Sequence, residues 1–365
     1  MAMRIPFLDL SVKDDQLKGE LLEAVDQVLS HGRIVLGPEV EQFEQQVAEY
    51  CQQKCAVGVN SGSDALYLAL RSLDVGPGDE VITTPLSWIA TLNAIVLCGA
   101  TPVFVDIGED MNINPDLITD AITPRTKVVL PVHWTGKLCD MTKINDIADQ
   151  HGLLVVEDAA QAFGAHHNCA MAGSFGYVNC FSMNPMKVFC AYGEAGAVVT
   201  SDEDICRKLT ALRYAGTVDR EDCHYPSLNG RIDTLQAAML LVNFRYLGNK
   251  IARRRAIAEF YSQSLGEVVI CPKEHEGYFD VYYTYTIMAE DRDRLMEHLA
   301  SKGIETKIHH KYLMPYQTAY RHLPKPHIPV AEHVADHCLS IPSHENIRMD
   351  EASYITRCIR KFYGS

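Results

Sequence analysis

Apolar positions at Leu17, Leu21, Leu22, Val25, Val28 and Leu29 recur at helical spacing and predict a helix over residues 14–31, with Gly32 placed to stop it. Pro38 suits the first turn of a second helix, whose start is favoured by Glu39 and Glu41. The glycine-containing link at Gly37 reads equally as a connector or as a cover over a pocket. From residue 55 to about 200 the period changes. Short apolar runs at 56–59, 80–84, 101–105, 127–132, 153–157, 178–181 and 197–199 predict strands, and amphipathic stretches at 64–73, 89–98, 115–122 and 141–150 predict helices between most of them. That alternation implies a mainly parallel α/β sheet, whose ligands bind outside the carboxyl ends of the strands. After Arg231 a long helical region (Leu235, Ala238, Met239, Leu241, Leu247, Ile251) leads to a smaller unit, with strands expected at 281–288 and 305–309 and helices at 292–302 and 350–362. The expected division is a large domain over 1–248 and a small α+β domain over 249–365.

Composition narrows the class. A chain of 365 residues, 47% hydrophobic and 22% charged, has ample material for a globular core. A formal charge of −14 offers no positive field to nucleic acid or to an anionic membrane, so any phosphate must be met locally. The opening residues carry no signal-peptide apolar region, and no run approaches the roughly 18 apolar residues of a membrane span; a cytoplasmic protein is expected. The twelve cysteines are scattered, without a C-x-x-C pair or a histidine at metal spacing, and read mostly as small core residues in a reducing compartment. No metal is expected.

The residues just after the expected strands carry the chemistry. Following residue 59 comes Asn60-Ser61-Gly62-Ser63-Asp64, whose free N–H groups, glycine and hydroxyls suit a phosphate cradle as well as an ordinary helix cap. Trp88, one of two tryptophans, stands at a strand-to-helix turn, where it is either core or a flat face for an aromatic ligand. Asp158 ends a buried strand, a costly place for a carboxylate without a cation, and Gln161 follows it. It is either a helix cap or a partner for a protonated ring nitrogen. Lys187 lies in an apolar neighbourhood (Met183, Met186, Val188, Phe189); a lysine there either reaches out to solvent or, if desolvated, has a lowered pKa and attacks carbonyls. Together these residues meet the needs of pyridoxal 5′-phosphate, an aldehyde that requires an amine and a ring that acts as an electron sink while an acid keeps its nitrogen protonated.

Over nearly its whole length the chain resembles the DegT-type sugar aminotransferases, a family of fold-type-I pyridoxal phosphate enzymes. The resemblance rests on Ile34-Val-Leu-Gly-Pro-Glu-Val-Glu-Gln-Phe-Glu, Ser61-Gly-Ser-Asp-Ala-Leu, Gly78-Asp-Glu-Val-Ile, Pro131-Val-His-Trp-Thr-Gly, Glu157-Asp-Ala-Ala-Gln-Ala, Phe181-Ser-Met-Asn-Pro-Met-Lys, Gly193-Glu-Ala-Gly-Ala-Val-Val-Thr, Asn229-Gly-Arg-Ile-Asp-Thr-Leu-Gln and Gly303-Ile-Glu-Thr-Lys. It implies a transaminase that takes an amino group from an amino acid, glutamate by expectation, and delivers it to C3 or C4 of a nucleotide-linked keto-deoxysugar, passing through pyridoxamine 5′-phosphate.

The resemblance also assigns residues. Lys187 forms the Schiff base and moves the proton, Asp158 binds the pyridine nitrogen and Gln161 the ring hydroxyl. The Gly62 and Ser63 amides and the Ser182 hydroxyl hold the phosphate, Trp88 stacks on the ring, and Asn229 reaches the phosphate of a neighbouring subunit in a homodimer with shared sites. Arg33, Gly37, Arg231, Lys307, His309 and His310, with Lys311, are the substrate-side candidates, read as a local cationic patch for the sugar nucleotide. The stretch His309-His-Lys-Tyr-Leu-Met-Pro315 departs from the family's usual Pro-Leu-His segment, so the sugar is not implied. A sugar dehydratase or a cyclitol-ketone aminotransferase of the same family is the alternative, although the dehydratase branch carries a histidine where Lys187 stands. A non-catalytic regulator with the same fold is the alternative of another class.

Overall fold

A computed structural model describes residues 4–364; residues 1–3, part of the opening read for a targeting segment, and residue 365 lie outside the described residues. Seven strands form the central sheet: β1 (Cys55–Val59), β2 (Glu80–Thr83), β3 (Thr101–Phe104), β4 (Thr126–Leu130), β5 (Leu154–Asp158), β6 (Val178–Ser182) and β7 (Gly196–Thr200). Their order is β1-β7-β6-β5-β4-β2-β3. β7 runs antiparallel to both of its neighbours, and the other pairs are parallel. Strands β6 and β7 are buried at every position, which explains why they read as continuous apolar runs.

Both faces of the sheet are covered. One carries α3 (Gly62–Ser72), α4 (Ala90–Leu97) and α7 (Glu203–Arg213) through Leu66, Ala69, Ile95 and Leu209. The other carries α2 (Pro38–Tyr50), α6 (Met141–His151) and the first half of α8 (Thr234–Leu265), through Phe43, Ile144 and Leu240. Between α4 and α6 the expected helix at 115–122 is a 3-10 turn, Pro115–Leu117, followed by the single turn α5 (Ile118–Ala121). Helix α1 (Asp15–His31) is capped by Asp14 and stopped by left-handed Gly32. Only part of its apolar set is covered: Leu17, Leu21 and Val28 face inward, while Leu22 and Leu29 are exposed.

Helix α8, 32 residues and about 48 Å long, joins two cores. Ala237, Leu240 and Leu247 pack on the sheet, and Ile257, Tyr261 and Leu265 pack on the C-terminal layer, so the helix runs unbroken through position 248. That layer contains β8 (Tyr285–Met288) paired antiparallel with β9 (Cys338–Ile341), and helices α9 (Arg292–Ser301), α10 (Pro329–His337) and α11 (Met349–Phe362). Ile5 belongs to the same core and brackets Ile304 with two backbone bonds, its N–H donating to the Gly303 carbonyl and its carbonyl accepting from the Glu305 N–H. The expected strand at 281–288 is shortened because Tyr282 takes a left-handed φ of 48°. The expected strand at 305–309 reduces to a bridge between Lys307 and Ser340, and left-handed His310 (φ 59°) ends the extended run. Six cysteines, Cys51, Cys98, Cys139, Cys180, Cys338 and Cys358, are buried thiols, as expected. Cys55 and Cys206, by contrast, are bonded to each other across 151 residues of sequence, a pairing that spacing does not reveal.

Candidate active site

Four strand ends converge on one cavity of about 660 Å³. After β1, Ser61 caps α3 by accepting from the Asp64 N–H at 3.1 Å, which presents Gly62 and Ser63 to the cavity. The loop after β2 delivers Ser87, Trp88 and Thr91; the end of β5 delivers Asp158 and then Gln161; the end of β6 delivers Ser182 and the turn that carries Lys187. That turn is closed by the Lys187 N–H donating to the Asn184 carbonyl at 2.8 Å.

Lys187 and Asp158 form the chemical axis. Burial lowers the ammonium pKa to about 8, against the opposing pull of the Asp158 and Glu194 carboxylates. The Nζ lies 4.5 Å from the centre of the Tyr283 ring, whose face favours a cation. Asp158 is 3% exposed. Burial pushes its carboxyl pKa upward, while Thr91 Oγ1, donating to Oδ2 at 2.7 Å, and the Ala160 N–H, donating to Oδ1 at 3.2 Å, hold it down, as does the charge of Lys187. A cation placed against Asp158 would relieve that burial cost.

The remaining groups fit a phosphorylated pyridine. A Cβ on Gly62 would stand 2.5 Å from Ser182 Cβ, and one on Gly196 would stand 2.5 Å from the Ser61 carbonyl oxygen. Glycines therefore let the start of α3 press against Ser182. The Gly62 and Ser63 N–H groups find no acceptor among the described residues and open on the cavity beside the Ser182 hydroxyl, an arrangement suited to an anion at a helix N-terminus. Gln161 accepts from the Thr135 N–H at 2.8 Å through Oε1, leaving its amide N–H₂ free to donate. Trp88 lines the same cavity and is 62% exposed. Amine, acid, amide donor, anion cradle and aromatic face thus meet in one place. Among the described residues there is no metal-binding cluster of histidine, cysteine and carboxylate.

The substrate-side candidates divide. Lys307, His309, His310 and Lys311 line the Lys187 cavity, brought there from the C-terminal layer. Their expected positive charge is only half present. Burial, then the neighbouring His310 and lysines, hold His309 well below the usual imidazole range, and burial with Lys187 and Lys307 lowers His310 to about 3. Both are neutral hydrogen-bonding groups, and the charge of the patch comes from the lysines. Arg33, Gly37, Asn229 and Arg231 do not line this cavity. Arg231 Nε donates to Asn229 Oδ1 at 2.6 Å and its guanidinium sits 4.4 Å from the Tyr214 ring centre. Gly37 donates its N–H to Thr234 Oγ1 at 2.9 Å and borders a separate hollow of about 290 Å³ with Glu44 and Arg213. Arg33 is exposed on the connecting segment.

Thr91, Glu194 and Tyr283 belong to the site without having been predicted in it. Thr91 follows Trp88 by one helical turn, and Glu194 lies in the Gly193-Glu-Ala-Gly run, where neither had a role of its own. Tyr283 stands 96 residues from Lys187 (283 − 187), and only the aromatic density of 278–285 marks its segment.

Comparison with known proteins gives one consistent family. The DegT/DnrJ/EryC1/StrS aminotransferase family matches residues 15–360. A "Pleiotropic regulatory protein" of Geobacillus stearothermophilus is 37% identical, covering 99% of each chain. A "dTDP-3-amino-3,4,6-trideoxy-alpha-D-glucose transaminase" of Streptomyces venezuelae is 39% identical, over 98% of this chain and 96% of its own. Among solved structures, S. venezuelae DesV in complex with a ketimine intermediate superposes with a TM-score of 0.95, 39% identity and 98% of each chain covered. By sequence and by fold, the chain belongs to the DegT/DnrJ/EryC1/StrS aminotransferase family.

Proposed function

We propose that the protein is a pyridoxal phosphate-dependent aminotransferase that moves an amino group from an amino acid, with glutamate as the donor, to the C3 or C4 keto carbon of a nucleotide-linked deoxysugar. The observation that carries this reading is the pairing, in one cavity, of a buried amine lowered to about 8 with a buried carboxylate, Asp158. The cofactor, when bound, supplies a carbonyl for the amine and an electron-withdrawing ring. The chain's own residues do the rest. The Gly62 and Ser63 amides and the Ser182 hydroxyl hold phosphate oxygens, Gln161 donates to a ring oxygen, and Asp158, steadied by Thr91, keeps a proton at a ring nitrogen. Trp88 would cover a ring face, and the Lys187 amine would carry a proton as a general base.

The cytoplasm is the proposed compartment; among the described residues no helix is long and apolar enough to cross a membrane. A homodimer with shared sites accounts for the position of Asn229 and Arg231 outside the cavity of their own chain, and Lys307 and Lys311 supply positive charge at the mouth for the acceptor's diphosphate. A relative with a regulatory name keeps a second reading in view. The complete residue set around Lys187 supports the enzyme, and Lys187 itself disfavours a dehydratase. The test is a panel of 3-keto and 4-keto nucleotide sugars, incubated with holoenzyme and glutamate and read by mass spectrometry. One aminated product is expected; a yellow holoprotein that aminates none of them and accepts no amino acid would leave the regulatory reading.

A further inference from the structure

Behind Tyr283 lies a second chamber of about 230 Å³, and it shares Met186, Tyr283, Lys307 and His309 with the walls of the Lys187 cavity. Arg254, Thr284, Glu305, Ser343 and His344 complete its polar lining. Its hydrogen-bonding groups are left open to an unusual degree. His309 Nδ1 and Arg254 Nε are buried without a partner among the described residues, and neither ring nitrogen of His344 makes a close hydrogen bond, although the neighbouring Pro6 carbonyl favours an N–H on that ring. His309 and His344 are each 4% exposed and Arg254 is 3% exposed. Unpaired polar groups at such depth are costly unless water or a ligand meets them.

Donors make up most of the unused capacity, beside the one acceptor nitrogen of each neutral imidazole. Arg254 engages Glu345 at 2.7 Å and the Tyr283 carbonyl at 3.1 Å, which leaves its Nε–H. The Ser343 oxygen already accepts from the Tyr285 N–H at 3.1 Å, which leaves its hydroxyl hydrogen. Each neutral imidazole carries one N–H. The acid on the wall, Glu305, is occupied by Arg4 at 2.6 Å and by the Phe7 N–H at 3.3 Å. Lys307 forms no ion pair among the described residues. An acceptor-only group with negative charge matches this set. A carboxylate fits the volume, whereas a nucleoside diphosphate is too large for it.

We infer that this chamber takes a carboxylate of the amino-acid donor, and that Ser343 and His344 are donor-specificity residues. The inference rests on the aminotransferase reading. The two half-reactions separate it from that reading, because the donor's carboxylate enters only the first.

The test is single-turnover spectroscopy on holoenzyme, with the cofactor band followed as L-glutamate is varied, and separately as the keto-sugar nucleotide is varied against the pyridoxamine form. His344→Leu is expected to raise the half-saturating glutamate concentration by about 10-fold or more, the scale of a lost hydrogen bond to a charged group. Ser343→Ala should have a smaller effect in the same direction, and His344→Gln, which keeps an N–H donor, should recover part of the loss. The sugar half-reaction should stay within about two-fold. Unchanged glutamate saturation in both His344→Leu and Ser343→Ala would leave a water-filled chamber and overturn the inference, as would equal losses in both half-reactions. If His344→Leu does not fold, Ser343→Ala decides. A wild-type enzyme that reacts with no amino acid overturns the aminotransferase reading itself, a result distinct from all of these.

Discussion

The Lys187 wall and the Asn229 face are made by the same chain, yet one is complete and the other is not. Around Lys187 the titrating groups have counterparts in reach: Asp158 across the cavity, Thr91 behind Asp158, Tyr283 against the amine. Asn229 and Arg231 instead bond each other and lean on Tyr214, away from the cavity, in a chain that also leaves Trp88, Leu22 and Leu29 exposed. In the homodimer proposed above, the difference separates chemistry that one fold completes from recognition that a second copy would complete.

The sharpest way to break the comparison is to remove its first member. Lys187→Ala should abolish turnover while leaving the thermal midpoint close to wild type, since an amine whose ammonium form is disfavoured by burial contributes little to holding the fold. Detectable steady-state transamination by this variant would move the chemistry elsewhere. Next in size, Asp158→Asn should fold yet slow proton abstraction by about 10²-fold or more, the scale of a lost preorganised electrostatic contact. Activity within a few-fold of wild type would reduce Asp158 to a structural role.

The second member is tested by mixing. Inactive Lys187→Ala and inactive Asn229→Asp chains should regain part of the activity together, because their heterodimer holds one intact site. No recovery under proven subunit exchange would show that each site is built from one chain. The smallest effect sharpens the first region. Lys187 is neutral above about pH 8, so uptake of pyridoxal phosphate by the apoenzyme should rise with pH and level off past that value. Glu194→Gln removes a charge that holds the pKa up and should shift the rise to lower pH. A rise centred near the ordinary lysine value of 10.5 would contradict the burial of the amine.

The legible part of this molecule was the part written in short range. Apolar runs of four or five residues marked the strands of the sheet, and the post-strand positions of Ser61, Asp158 and Lys187 followed from them. Strand order did not, because nothing local says that β7 inserts antiparallel between β1 and β6. The strand expected at 305–309 failed because the sequence pattern carries no sign of a left-handed His310. The charge assigned to His309 failed for a related reason, since burial is a property of the packed C-terminal layer and not of the dipeptide. Tyr283 and the Cys55–Cys206 bond depend on segments far apart in the chain that only folding brings together.

The account turns on Lys187 as the residue that bears the cofactor, and borohydride reduction of the holoenzyme followed by peptide mapping measures that directly. The pyridoxyl label is expected on the peptide containing Lys187, at one label per chain, with none on Lys307 or Lys311, the other lysines of the cavity. A label on another lysine, or a reduced protein with no label, would contradict it.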